Sequence, residues 1–221
     1  MVEVRIAGRF NGPVGSGNGG YASGVLAGAA GLVGRPVVTL RVPPPLDTAI
    51  SVVAAETGFA AMAGETCVAT VVEGDGGLGA PGFVPWETAL ECEKAFAGDD
   101  GHPFPTCFAC GPAHPTGLRL RPGQQPGRPG TTACTWIPAE SGDGIVWAAL
   151  DCPGGWVDTV ERVLGRMSCE VYGRPEPGAR HILVADSGAP DGRKLAARTA
   201  LYTADGELLA AAAQTWIAVQ R

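Results

Sequence analysis

Charge is scarce in this chain. Asp, Glu, Lys and Arg make up 17% of its 221 residues, and no run of basic residues occurs. With a net charge of -6 and a pI near 5.1 there is no electrostatic footprint for a phosphate backbone, so nucleic acid is not an expected partner. A long apolar run is also missing. The most apolar stretch, Val25 to Val33, is too short and too glycine-rich to span a bilayer. The opening MVEVRIAGRFNG lacks the charged-then-apolar order of a signal peptide. The expectation is a soluble, cytoplasmic protein with no membrane partner. Seven cysteines at irregular spacing, an odd number in a chain this long, exclude a disulfide framework. Cys107 and Cys110 form a lone Cys-x-x-Cys with His102 and His114 nearby. A zinc signal needs a second ligand pair, which the sequence lacks, and no thioredoxin-like order surrounds the motif. Neither a metal nor another cofactor is assigned.

Apolar residues are plentiful, at 45%, enough for one large core or two smaller ones of about 110 residues each. Strand-like runs are PVVTLRV, TAISVVAAE and TCVATVVEG in the first half, and TTACTWIP, GIVWAAL, MSCEVYG, ARHILVADS, KLAARTALYT and LLAAAAQTWIAV in the second. Two helices are expected, one from Gly19 to about Leu32 and one over GGWVDTVERVLG, beginning at Gly154. Three landmarks then recur in one order: a Gly-Gly-aromatic helix start (Gly19-Gly20-Tyr21, Gly154-Gly155-Trp156), a proline break between strands (Pro43 to Pro45, then Pro175 and Pro177), and a Gly-Glu hairpin (Gly64-Glu65, Gly206-Glu207). That order argues for an internal duplication. The expected organisation is a first half over 1–75, a linker over 76–115 carrying a short helix in PWETALECEKAF and the Cys-x-x-Cys loop, and a second half over 116–221.

Several of these segments resemble hot-dog thioesterases. NGGY and PGGW resemble the Gly-Gly helix starts of that fold, and CFACGPAHPTGLRL resembles a Cys-x-x-Cys-Gly…Asn-Pro-x-Gly-Leu loop found before hot-dog domains, with His114 in place of Asn. AALDCPGGW resembles the Leu-Asp segment of acyl-CoA thioesterase II, and LYTADGELLAAAAQTW resembles its last hairpin, glutamine included. The resemblance implies an α+β double hot-dog fold: two curved antiparallel sheets, each wrapped around a helix, in one pseudo-dimeric chain. It implies hydrolysis of an acyl thioester, with coenzyme A as the first carrier considered and an acyl carrier protein as the other. Because hot-dog sheets often pack back to back, it also makes a homo-oligomer an open partner.

The resemblance assigns roles, and each competes with a plainer one. Asp151 would activate water, or would only cap a helix N-terminus. Gln214, a polar residue in an apolar strand, would hold that water, or would point outward as strand alternation allows. Ser187 would be a third water-orienting group, or a turn residue before Gly188. Gly19, Gly20, Gly154 and Gly155 would bare backbone N–H groups to the thioester carbonyl, or would only permit tight packing. Asn18 stands where some hot-dog enzymes have histidine and would join this binding surface or act as an N-cap; Asp158 and Glu161 would share a helix face. Arg9, Arg119, Arg121 and Arg180 are the cations considered for phosphate binding. The alternative function is a non-catalytic hot-dog protein that binds acyl-CoA or another small ligand. A hydratase ranks below both, because His102, His114 and His181 lie neither in the helices nor on their lead-in strands.

Overall fold

The computed structural model describes residues 1–32 and 34–219. Val33, the end of the apolar stretch named above, lies outside them, as do residues 220 and 221 of the second half. In chain order the first half contains β1 (Val2–Val4), α1 (Gly19–Ala30), β2 (Arg35–Leu40), β3 (Ile50–Ala54), β4 (Phe59–Ala63) and β5 (Thr66–Gly74). Then come α2 (Trp86–Glu93) and the two-residue β6 (Gly123–Gln124). The second half contains β7 (Thr131–Trp136), α3 (Asp143–Gly155), β8 (Arg162–Val171), β9 (His181–Ser187), β10 (Lys194–Thr203) and β11 (Leu208–Ala218).

All strands among the described residues join one antiparallel sheet in the order β1-β3-β4-β5-β2-β8-β11-β10-β9-β7-β6. The order β1-β3-β4-β5-β2 is repeated, reversed in space, by β8-β11-β10-β9-β7. The two repeats join at the centre, where Val38 of β2 pairs with Met167 of β8. The hairpins at Gly64 and Gly206 connect equivalent strands, β4 to β5 and β10 to β11. Both glycines have positive φ, which their turns require.

The helix landmark in the second half is a correction. GIVWAAL is helical, not a strand, and Gly154-Gly155 end α3 instead of starting it. Residues 156–161 form a turn, and Arg162 already belongs to β8. The cause is burial. Every residue from Ile145 to Gly154 is buried, so α3 has no polar face and no amphipathic period to read. The strand β4 was also not anticipated; its FAAMA is short and alanine-rich.

Leu26 and Ala22 of α1 and Val146 and Leu150 of α3 share one core with Val38, Val71, Met167 and Leu201 of the sheet. The opposite sheet face of the second half is covered by α2, through Ala89 and Cys92 against Ala133, Ile182, Val184 and Ala200. Strand β9 is therefore buried on both sides, from His181 to Ala185, and reads as a continuous apolar run. No helix among the described residues is long and apolar enough to cross a membrane.

The helices α1 and α3 pack against each other, and glycine sets their separation. A Cβ on Gly20 would lie 2.5 Å from both the Trp147 carbonyl oxygen and the Asp151 Cβ; one on Gly24 would lie 2.8 Å from the Trp147 ring. Gly28, on the same helix, faces open space. The two positions give opposite expectations in thermal or urea unfolding. Gly28→Ala stabilises by about 0.5–1 kcal/mol through helix propensity. Gly20→Ala destabilises by about 1–3 kcal/mol because α3 must move away.

Candidate functional site

The first turn of α1 holds the only close encounter between a helix N-terminus and a carboxylate of the other helix among the described residues. Asn18 is the N-cap: its Oδ1 accepts the Tyr21 N–H at 2.8 Å. Its Nδ2 donates to Asp151 Oδ2 at 3.0 Å, and the Gly20 N–H donates to the same oxygen at 2.9 Å. The missing Gly20 side chain is what lets the Asp151 carboxylate reach main-chain N–H. Gly19, at the first helical position, has no acceptor for its N–H among the described residues.

Asp151 is 2% exposed, and its second oxygen, Oδ1, is buried without a hydrogen-bond partner. Burial pushes its carboxyl up to about 7, against the Gly20 N–H and Asn18 amide, which favour the anion. Asp151 lines a cavity of about 540 Å³ together with Asn18, Gly19, Leu164, Trp156 and Trp216. A carboxylate with one oxygen anchored and the other unpaired, next to a bare helix N-terminus, can take a proton from a bound water while N–H groups receive developing negative charge.

The other expected residues fall differently. Asp151 does not cap the start of its own helix; it lies in the last turns of α3 and accepts an N–H at the start of α1 instead. Gln214 points inward, but its amide donates to the main-chain oxygens of Leu150 and Asp151, and its Oε1 accepts from Thr199 at 3.2 Å and from the Trp216 indole N–H at 3.4 Å. It satisfies carbonyls at the C-terminal end of α3 and so positions Asp151 through the main chain. Gly154 and Gly155 sit at that same end, where the helix dipole is negative and carbonyls, not N–H groups, are bare. A Cβ on Gly154 would lie 2.1 Å from Gln214 Oε1, and one on Gly155 2.9 Å from the Trp216 ring. Ser187 ends β9 in a separate groove with Asp186 and Arg198. Asp158 and Glu161 do not share a helix face: Asp158 lies in the turn after α3 and pairs with the buried Arg162 at 2.8 Å, and Glu161 immediately precedes β8.

Of the arginines considered, Arg9 pairs with Glu140, Arg121 pairs with Asp99, and Arg180 lies over the Trp86 ring. Arg119 donates to the Pro115 carbonyl oxygen. The cavity is lined instead by Arg41 and Arg162, which no sequence pattern singled out.

The Cys-x-x-Cys loop packs into this site. Phe108 is fully buried against Phe10 and Tyr21 of the first half, and its N–H donates to the Asn11 carbonyl. His114 is buried too, with Nε2 2.7 Å from the Arg9 carbonyl oxygen. Cys107 and Cys110 line the cavity, and Asn18 Nδ2 lies 3.8 Å from Cys107 Sγ, between that sulfur and Asp151. Cys152, next in sequence to Asp151, completes a buried group of three thiols. Its place could not be read, because its neighbours lie some forty residues away in sequence.

No family model and no curated protein sequence matches this chain. Solved structures match over nearly its whole length. A candidate thioesterase from Novosphingobium aromaticivorans DSM 12444 has a TM-score of 0.65 at 15% identity, covering 99% of this chain and 95% of its own. The tesB protein of Mycobacterium avium subs paratuberculosis has 0.63 at 12%, covering 99% and 92%. A hot-dog-fold protein of unknown function from Alicyclobacillus acidocaldarius has 0.62 at 13%, covering 99% and 93%. What is shared at these identities is the fold, and the fold of this chain is the α+β double hot-dog.

The capping role of Gln214 has a stability consequence. Gln214→Leu removes the side-chain donor of the Leu150 and Asp151 carbonyls and the acceptor of the Thr199 and Trp216 donors in a dry environment, and a loss of about 1–3 kcal/mol is expected. Urea unfolding followed by tryptophan fluorescence measures it.

Proposed function

We propose that this chain hydrolyses an acyl thioester, with Asp151 as the group that accepts the proton of the attacking water. The observation that carries the reading is that Asp151, a residue of the cavity lining beside the bare N-terminus of α1, keeps one buried carboxylate oxygen, Oδ1, without a hydrogen-bond partner. The names given to two of the fold's relatives, a candidate thioesterase and a tesB protein, support the same class of reaction.

In this reading the thioester carbonyl oxygen lies at the Gly19 N–H, where the helix dipole favours negative charge. Water adds to the carbonyl carbon as Oδ1 takes its proton. The oxyanion collapses, the carbon–sulfur bond breaks, and the departing thiolate takes the proton back from Asp151. The products are a carboxylic acid and a thiol, and Asp151 returns to its starting state. Gln214 contributes by fixing the main chain at Asp151, not by touching water. Coenzyme A is the carrier this reading assigns, and Arg41, exposed where it lines the cavity, is the cation assigned to its phosphates.

One observation favours the second reading, a binding protein without turnover. The Gly20 N–H is already taken by Asp151 Oδ2, so only one bare N–H of the pair remains for a substrate carbonyl.

Thiol release from short, long and aromatic acyl-CoAs separates the two. Asp151→Asn keeps an oxygen for the Gly20 N–H but removes the base, and a loss of about 100-fold or more in kcat/KM is expected with unchanged circular dichroism. A folded wild type that binds acyl-CoA and releases no thiol from any of them supports the binding protein instead.

A further inference from the structure

From three convergent sulfurs, we infer that Cys107, Cys110 and Cys152 form a zinc site whose fourth position opens into the cavity at Asp151. The inference does not depend on the thioester reading. It rests on a cluster that the sequence splits between a loop and a helix and that the fold brings together.

The three Sγ atoms lie within 4.8 Å of one another, and all three residues are buried. Cys107 Sγ and Cys152 Sγ are 3.8 Å apart. A tetrahedral zinc with Zn–S bonds of about 2.3 Å sets its sulfurs roughly 3.8 Å apart, so little movement is needed to close the site. The separation is also far beyond an S–S bond, and all seven cysteines are free thiols.

Neutral donors surround two of the three sulfurs. The main-chain N–H groups of Ala109 and Cys110 turn back on Cys107 Sγ, and Asn18 Nδ2 approaches it at 3.8 Å. Cys110 Sγ faces the Trp156 indole N–H at 3.5 Å and His102 Nε2 at 3.2 Å. The Phe104 N–H donates to His102 Nδ1 at 2.9 Å, so in the neutral ring the proton sits on Nε2 and points at the sulfur. His102 is thus an outer partner that orients a ligand, not a ligand itself. These donors are neutral, so they solvate sulfur charge without cancelling it. A divalent cation would cancel it, and soft thiolates select zinc among the common ones. The tight return of the chain after Cys110 depends on Gly111, where a Cβ would lie 2.4 Å from the Cys107 nitrogen.

No fourth Cys, His, Asp or Glu among the described residues joins the group. Cys107, Cys110 and Cys152 all line the Asp151 cavity. Three protein ligands with a cavity-facing fourth position leave room for water or a small thiol.

The test uses the whole chain, reduced and purified from zinc-supplemented medium, with metal content measured alongside native mass. One zinc per chain is expected, and Cys110→Ala and Cys152→Ala should each lower zinc affinity by about tenfold or more. Should a variant fail to fold, cobalt(II) exchanged into the wild type reads the ligands directly: a sulfur-to-cobalt charge-transfer band is expected, and it should shift when 2-mercaptoethanol is added. Wild type that takes up no stoichiometric zinc overturns the site. So does cobalt bound without the charge-transfer band, or full zinc affinity in folded Cys110→Ala and Cys152→Ala. A band that ignores added thiol overturns the open fourth position.

Discussion

The contact on which the site depends is the one between Gly20 and Asp151. A helix N-terminus offers N–H groups that need an acceptor, and a buried carboxylate needs donors. Here each answers the other, at 2.9 Å, across the interface between the two halves. The contact exists only because two glycines on α1 leave no side chain between the helices. A weak helix former at the start of α1 is therefore a consequence of packing and of site geometry together. Gly19, the residue before Gly20, is the one that lines the cavity.

The duplicated fold makes this arrangement once, not twice. The strand order of the two halves is the same, and β2 and β8 meet at the centre of the sheet. Yet α1 contains no acidic residue to serve the N-terminus of α3. That N-terminus is met instead by Asp143 in its own first turn, which pairs with Arg174 at 3.0 Å. Gly144 there lies against the Tyr21 ring, not against a carboxylate. One half has kept a helix start open to a ligand, while the other has kept the carboxylate and the thiol beside it. A single asymmetric site is what a fused pseudo-dimer permits and a homodimer of identical chains does not.

Much of the fold was legible because strand alternation, proline breaks and hairpin turns are local signals. The glycine turn before β11 made the pairing of β10 with β11 readable, and a short helix was expected where α2 forms, but β4, the partner across the turn before β5, was not expected. The second helix was not. GIVWAALDCPGG is apolar nearly throughout, and its β-branched Ile145 and Val146 suit a strand as well as a buried helix. Moving that helix by eleven residues reverses the meaning of Gly154-Gly155, from an N-terminus that could bind an oxyanion to a C-terminus that must be capped. Asp151 was identifiable from its segment, but the groups around it were not, because Asn18, Cys107 and Asp151 come from three distant stretches of chain.

Gln214 shows how a residue can be singled out by sequence while its hydrogen-bond partners stay unread. A lone amide on a strand of alanines must find partners if it is buried, and at 3% exposure it has found four. Its nitrogen serves the Leu150 and Asp151 carbonyls, and its oxygen takes donors from Thr199 and Trp216. With both ends of the amide committed, holding a water beside the Asp151 carboxylate would mean giving up a bond already made in a dry interior, at a cost of about 1–3 kcal/mol. The carboxylate is instead held by Asn18 and Gly20 alone, which leaves Oδ1 as its one unsatisfied atom. The carboxylate's unmet hydrogen-bonding capacity is therefore concentrated in that oxygen. The end of α3, locked by Gln214 and by the close approach of Gly154 to its amide, serves to keep that oxygen in place.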